Sequence, residues 1–119
     1  MILNNERMYD SLNVLSQVEE KGMLGYAIAR NRQKLLAELG TYAGVRNELI
    51  QEYGEDIGNG QFNFTPESMT RFREALEPYN ILTADVQLMQ VSPEVFYSGN
   101  LTSSQMFILE WMVKDGDKV

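Results

Sequence analysis

The chain has neither cysteine nor histidine among its 119 residues. Without cysteine it cannot form a disulfide framework, present a thiolate nucleophile or build a zinc ribbon. Without histidine it lacks the commonest general base and the commonest metal ligand. We therefore expect a protein that is not an enzyme and that needs no cofactor.

Positive charge is also scarce. Ten lysines and arginines face 17 aspartates and glutamates, which gives a net charge of −7. Binding to a nucleic-acid backbone depends on a surplus of basic side chains, so we expect no nucleic-acid partner. Residues 1–54 hold six basic and seven acidic side chains, whereas residues 55–119 hold four and ten. The acidic second half either faces a basic partner or forms a solvated surface.

Long apolar runs are missing as well. No stretch approaches the 18 or so apolar residues of a membrane span, so we expect no membrane segment. The opening sequence MILNNERMYD lacks the basic region and the apolar stretch of a secretory signal. We expect a cytoplasmic protein, located in the host cell if a phage encodes it.

The acidic residues do not form a recognisable metal motif. A calcium loop that began at Asp56 would end correctly at Glu67, but its third and fifth positions would be Gly58 and Gly60. Glycine has no side-chain oxygen to bind calcium. The Gly58-Asn59-Gly60 sequence predicts a tight turn, and we expect no metal site.

The strongest structural signal is a stretch of 30 residues without proline, Leu24–Tyr53. As one helix it would be about 45 Å long. Its apolar side chains recur at heptad-like spacing, and Gly40 and Gly44 mark the expected position of a kink. A preceding helix, from Asn5 or Glu6 to Glu20, should fold back against it through a short link at residues 21–23.

The second half predicts smaller elements. Thr65 and Pro66 should open a third helix, and Ser92 should open a single helical turn. Residues 83–91 predict a strand that pairs with residues 61–64. Thr102 and Gln105 form a capping box for a final helix, which is apolar around most of its circumference and should be largely buried or lie at an interface. The tail from Lys114 reads as frayed.

We therefore predict a predominantly helical α+β fold: an antiparallel helical hairpin with one long helix, followed by a small strand–helix segment. Residues 1–119 should form a single domain, with the hairpin in residues 1–54 and the mixed segment in residues 55–119.

Two sets of residues are candidate contact sites. The apolar seam and the aromatic and methionine side chains of the last helix predict a protein interface formed by Leu35, Leu39, Tyr42, Leu49, Met106, Phe107, Trp111 and Met112. A basic cluster could contact an anion through Arg30, Arg32 and Lys34. Pairing of Lys34 with Glu38 within the helix is the simpler explanation of part of this cluster.

The sequence resembles an uncharacterised family of small phage and prophage proteins from Firmicutes. The matching residues are Tyr26, Ala27, Ile28, Ala29, Arg30, Asn31, Arg46, Glu48, Leu49, Ile50, Tyr53, Gly54 and Glu55, together with a general likeness from Val86 to Val113. The chain departs from the family pattern at Gln51, Gly40 and Gly44. The resemblance implies a phage or prophage origin and implies no particular mechanism.

Three functions remain open. The leading hypothesis is a non-enzymatic phage accessory protein that acts through protein–protein contacts, either with copies of itself or with another protein. The second is a phage inhibitor of a host defence or regulatory protein, bound through the acidic second half. The third is a binder of a small molecule that bears phosphate, held by the basic cluster.

Overall fold

A computed structural model of the chain describes residues 1–114 and shows a predominantly helical α+β fold, as predicted. This range contains six α-helices and four short strands. The elements, in chain order, are β1 (Ile2–Asn4), α1 (Asn5–Leu15), α2 (Gly22–Glu38), α3 (Gly40–Tyr53), β2 (Glu55–Gly58), β3 (Gln61–Asn63), α4 (Pro66–Asn80), β4 (Thr83–Asp85), α5 (Pro93–Tyr97), α6 (Ser103–Ile108) and a 3-10 turn (Glu110–Met112).

The first two helices form the predicted hairpin. Asn4 caps α1, because its side-chain oxygen accepts a hydrogen bond from the Arg7 N–H at 2.7 Å. The helix ends at Leu15 rather than at Glu20, and α2 begins at Gly22 after a longer connection than expected. The two helices pack against each other through buried apolar side chains, including Met8 and Ile28.

The expected continuous helix from Leu24 to Tyr53 is divided in two. Helix α2 ends at Glu38, and Leu39 leaves the helical region with φ −88° and ψ 4° before α3 starts at Gly40. The break falls beside one of the two glycines that predicted a kink, where the backbone has the weakest helical preference. It lets Leu39 and Tyr42 turn into the core of their own chain.

Two antiparallel pairs of strands replace the predicted ribbon. Strand β1 pairs with β4, with Leu3 opposite Ala84, and β2 pairs with β3 around the Gly58-Asn59-Gly60 turn. The prediction that residues 83–91 pair with residues 61–64 is therefore wrong. All three turn residues have positive φ, which folds residues 55–58 back onto the following strand, and the strand at residue 83 is left to pair with the start of the chain.

The capping signals in the second half are confirmed. Thr65 and Ser68 form a capping box at α4, Ser92 caps α5, and Thr102 forms the predicted box with Gln105 at α6. Helix α6 is short, however, and the chain passes into the 3-10 turn after Leu109. The tail that is predicted to fray begins at Lys114, and the backbone N–H of this residue donates to the Val91 carbonyl at 2.9 Å. The rest of the tail, residues 115–119, lies outside the described part of the chain.

A single cluster of buried side chains connects the two halves of the chain. Phe96, Leu109 and Met112 from the second half are fully enclosed together with Met8 and Leu35 from the first. The molecule is elongated, with principal extents of 49 × 27 × 24 Å. Among the described helices, none has the length and apolar character required to cross a bilayer.

Candidate interaction surface

Most of the residues predicted to form an interface lie instead inside the chain. Leu35, Leu39, Tyr42, Trp111 and Met112 are all less than a tenth exposed, and Leu49 and Met106 are half-buried against the same core. A second protein could reach the buried five only if the fold opened. The prediction of these residues as an exposed seam is therefore corrected: α1, α4 and the C-terminal segment of the same chain cover the apolar stripe.

Trp111 shows how the C-terminal segment is anchored. Its indole N–H donates to the hydroxyl of Ser11 at 2.9 Å, and this hydrogen bond is buried. Ser11 lies on the inner face of α1 and is itself fully enclosed. Because Trp111 and Met112 turn inward after α6 has ended, the side chain of Phe107 is left on the outer side.

Phe107 is the one predicted interface residue that the structure places on the surface. It is 74% exposed, the largest value among the large hydrophobic residues of the described chain. With Ile108 it lines a depression between α1 and α6, which we call the α1–α6 groove; its other lining residues are Asn4, Glu6, Arg7, Asp10 and Glu110. The sequence predicts that this helix is either largely buried or at an interface, and the exposed ring of Phe107 is not covered by its own chain.

The charge around Phe107 is predominantly negative. Arg7 lies 3.1 Å from Glu110, so the only cation of the groove is already paired. Glu6 and Asp10 are one helical turn apart on α1, and neither forms an ion pair within residues 1–114. Glu6 accepts only a hydrogen bond from the Asn80 side chain at 3.2 Å. The groove thus combines an exposed ring with two carboxylates that form no ion pair within the described chain, although Arg46 acts on the same tyrosine, Tyr42, as both of them.

The predicted basic cluster is divided between two faces of α2. Arg32 turns toward the first helix, where its guanidinium donates to the Leu15 carbonyl at 3.5 Å. Arg30 and Lys34 stay together on the outer face and line a shallow depression with Tyr26, Ala29, Gln33 and Ala37, which we call the α2 stripe. Of the three residues given as a possible anion contact, the structure therefore brings Arg30 and Lys34 together and places Arg32 apart from them.

The expected pairing of Lys34 with Glu38 is likewise not seen among residues 1–114. Since Arg30 forms no ion pair there either, the α2 stripe presents two uncompensated positive charges one helical turn apart.

The polar groups of the interior have structural partners. Asn31 is fully buried in α2, and its side-chain amide donates to the Met89 carbonyl at 2.9 Å while its oxygen accepts from the Met89 N–H at 2.7 Å. These two hydrogen bonds to the backbone of Met89 hold residues 86–90, which have no regular structure, against α2. The sequence shows Asn31 as one of the candidate polar positions in the apolar seam and as part of the resemblance, but it does not show this bond to Met89.

A second buried polar cluster surrounds Tyr42. Its hydroxyl donates to the Asn80 side chain at 2.5 Å, its ring meets the edge of Tyr9 at a centroid distance of 5.7 Å, and Arg46 stacks 4.7 Å from the Tyr9 ring. Burial raises the pKa of Tyr42 above its ordinary value, and the nearby guanidinium of Arg46 opposes that shift. Packing accounts for this perturbation without a reacting group.

Glu6 and Asp10 are the site residues that sequence reasoning missed. Their spacing, four residues apart on an early helix, was visible in the sequence. Their proximity to Phe107, about 100 residues further along, depends on the packing of α6 against α1 and has no local signal.

No group of three or more acidic residues able to hold a metal ion occurs within the described range. Comparisons of the chain with protein-family models, with curated proteins and with solved structures found no match.

Proposed function

We propose that this chain is a non-enzymatic phage or prophage accessory protein that acts through protein–protein contacts made at the α1–α6 groove. The observation that carries the proposal is the 74% exposure of Phe107, the largest value among the large hydrophobic residues of the described chain, whose other phenylalanines and tryptophan are buried or half-buried. Burial of an aromatic ring of this size is worth a few kcal/mol, so a partner that covers it gains affinity. Aromatic residues are also enriched at interface centres.

The phage origin is proposed from the resemblance around Tyr26–Asn31 and Arg46–Glu55. The cytoplasm of the host cell is the location that we propose with it. The non-enzymatic part is supported by the composition of the chain and by Tyr42, the one group with a clearly shifted pKa among the described residues, whose shift burial explains.

One alternative has a specific observation in its favour. Glu6 and Asp10 form no ion pair within residues 1–114 and fit a basic surface, which a host protein inhibited by a phage product could supply. This contact lies on α1, whereas the sequence analysis placed it in the acidic second half. The phosphate-binding alternative is less well supported, because Arg32 lies apart from Arg30 and Lys34.

Site-specific photocrosslinking in the host cell tests the proposal. A benzoylphenylalanine at position 107 should yield discrete protein adducts after illumination. The matched control carries the same probe at Ile57, which is 50% exposed on the β2–β3 hairpin, far from the groove in sequence. An absence of adducts from position 107, or the same pattern from both positions, would contradict the proposal.

A further inference from the structure

We infer that the α1–α6 groove of one molecule binds the α2 stripe of a second copy, in a head-to-tail contact. This inference rests on the proposed function and names the partner. Both surfaces belong to this chain, and each presents what the other lacks: two carboxylates beside an exposed ring on one, and two cations beside small side chains on the other.

The spacing of the charges matches. Glu6 and Asp10 are separated by four residues on α1, and Arg30 and Lys34 are separated by four residues on α2. Side chains at this separation on a helix lie about 6 Å apart on the same face. Two helices that approach each other can therefore form both ion pairs at once. None of the four side chains forms an ion pair within residues 1–114, so no described salt bridge has to break.

The apolar parts of the two surfaces also fit. Ala29 and Ala37 flank Arg30 and Lys34 and leave a shallow depression, with the exposed ring of Tyr26 at one end. Phe107 stands out from the groove next to the carboxylates and can enter this depression. There its ring would meet Tyr26 and the guanidinium of Arg30, and both are favourable neighbours for an aromatic side chain.

The contact is not symmetric, because different surfaces meet. An open assembly of this kind keeps one free groove at one end and one free stripe at the other, unless the copies close into a ring. The mass in solution should therefore rise with concentration beyond that of a dimer or stop at a ring. It should fall with added salt, since the screening length shortens from about 10 Å at 0.1 M to about 3 Å at 1 M salt.

Charge reversal and mixing test the inference. One variant carries Glu6→Lys and Asp10→Lys, and the other carries Arg30→Glu and Lys34→Glu. Each variant alone should stay monomeric by light scattering at low salt, because its groove and stripe then have the same sign. A mixture of the two should associate, since the groove of each variant is opposite in sign to the stripe of the other: one of these contacts has both charges reversed, and the other is the unmodified contact. Association should weaken at least tenfold in each separate variant relative to the unmodified protein.

Two controls keep the result interpretable. Asp10→Lys alone avoids Glu6, whose hydrogen bond to Asn80 contributes to the fold, and should weaken association in the same direction. The double variant Glu48→Lys with Glu52→Lys changes the net charge by the same amount as Glu6→Lys with Asp10→Lys, but at exposed positions of α3. It should leave association unchanged. Far-ultraviolet circular dichroism and thermal unfolding check that every variant is folded.

Phe107→Ala tests the apolar part of the contact. It should reduce self-association at low salt at least tenfold, whereas Ile57→Ala on the β2–β3 hairpin should not change it. Unmodified protein that stays monomeric at every concentration at low salt would overturn the inference, and so would association of the two charge-reversed variants separately but not together. In either case discrete adducts of position 107 with a different protein would leave the proposed function standing.

Discussion

At the scale of single residues, Asn31 is the polar side chain on which the second half of the chain depends. It lies in α2 with no exposed surface, and both ends of its amide are bonded to the backbone of Met89. A buried amide is stable only when its donor and acceptor are satisfied, and here one residue satisfies both. The segment at residues 86–90 is not part of a strand, and Asn31 supplies the partners that a sheet would otherwise give to the backbone of Met89.

Asn31→Ala should therefore lower the free energy of unfolding by about 2 kcal/mol, because the N–H and the carbonyl of Met89 lose their partner. Urea unfolding measures the change. Asn47→Ala is the matched control, since it makes the same substitution at an exposed position of α3 and should alter stability by less than about 0.5 kcal/mol. Equal effects of the two substitutions would show that the amide does not hold the segment.

Tyr42 gives the fold a dependence on alkaline pH. In the unfolded chain its hydroxyl ionises near pH 10.0, and burial raises the pKa in the folded state. The folded state thus holds this proton more firmly than the unfolded state. The corresponding stability is complete below pH 10.0 and is lost as the pH rises through the folded pKa.

Tyr42→Phe should flatten this alkaline loss, because no proton remains to be released at this site. At neutral pH the variant should be less stable by about 1 kcal/mol, since the hydrogen bond to Asn80 is gone. Denaturant unfolding between pH 8 and pH 11 measures both effects. Tyr79→Phe, at a position 40% exposed, should change neither quantity; an unchanged alkaline slope in Tyr42→Phe would contradict the account.

At the scale of secondary-structure elements, the glycines of the helical region divide into two kinds. A Cβ at Gly44 in α3 would meet nothing within 4 Å, and Gly44 is helical with no positive φ. A Cβ at Gly25 in α2 would collide with the backbone carbonyl of Glu20. The first glycine only weakens its helix, whereas the second allows the connection between α1 and α2 to pass closely.

Gly44→Ala should therefore raise the free energy of unfolding by up to about 1 kcal/mol, the difference in helix propensity. Gly25→Ala should lower it, because the backbone around Glu20 must shift. Thermal unfolding of the two variants measures opposite changes in Tm. A loss of stability in Gly44→Ala would mean that α3 packs more tightly than the structure indicates.

Local sequence signals predicted where helices begin, whereas the strand pairing depends on contacts between residues that are distant in the sequence. The caps at Thr65, Ser92 and Thr102 depend on neighbours within three residues, so they could be read from the sequence. The pairing of β1 with β4 joins residues about 80 positions apart through strands of three residues, which are too short to show an alternating pattern.

The candidate site likewise has some features with a local sequence signal and others that depend on long-range packing. Aromatic and methionine residues near the end of the chain indicated a candidate interface, but the sequence could not separate the exposed Phe107 from the buried Trp111. The chain leaves α6 at Leu109, and this change of direction turns Trp111 toward Ser11 and leaves Phe107 in water. The carboxylates that accompany Phe107 come from α1 and become its neighbours only in the folded chain.

At the scale of the whole molecule, the apolar stripes of the helices are covered by their own chain. The break at Leu39 lets α2 and α3 contribute to one core, and the C-terminal segment closes it with Trp111 and Met112. The surfaces that remain for a partner include the α1–α6 groove, with its exposed ring and its carboxylates, and the α2 stripe. Association should therefore involve surface residues and leave the fold unchanged.

The most direct test of this claim is the midpoint of urea unfolding in high salt, measured at two protein concentrations a hundredfold apart. A core closed within one chain predicts the same midpoint at both concentrations, because unfolding is then unimolecular once salt has screened the contact between copies. A midpoint that rises with protein concentration would contradict the account, since it would show that the buried seam is completed by a second chain.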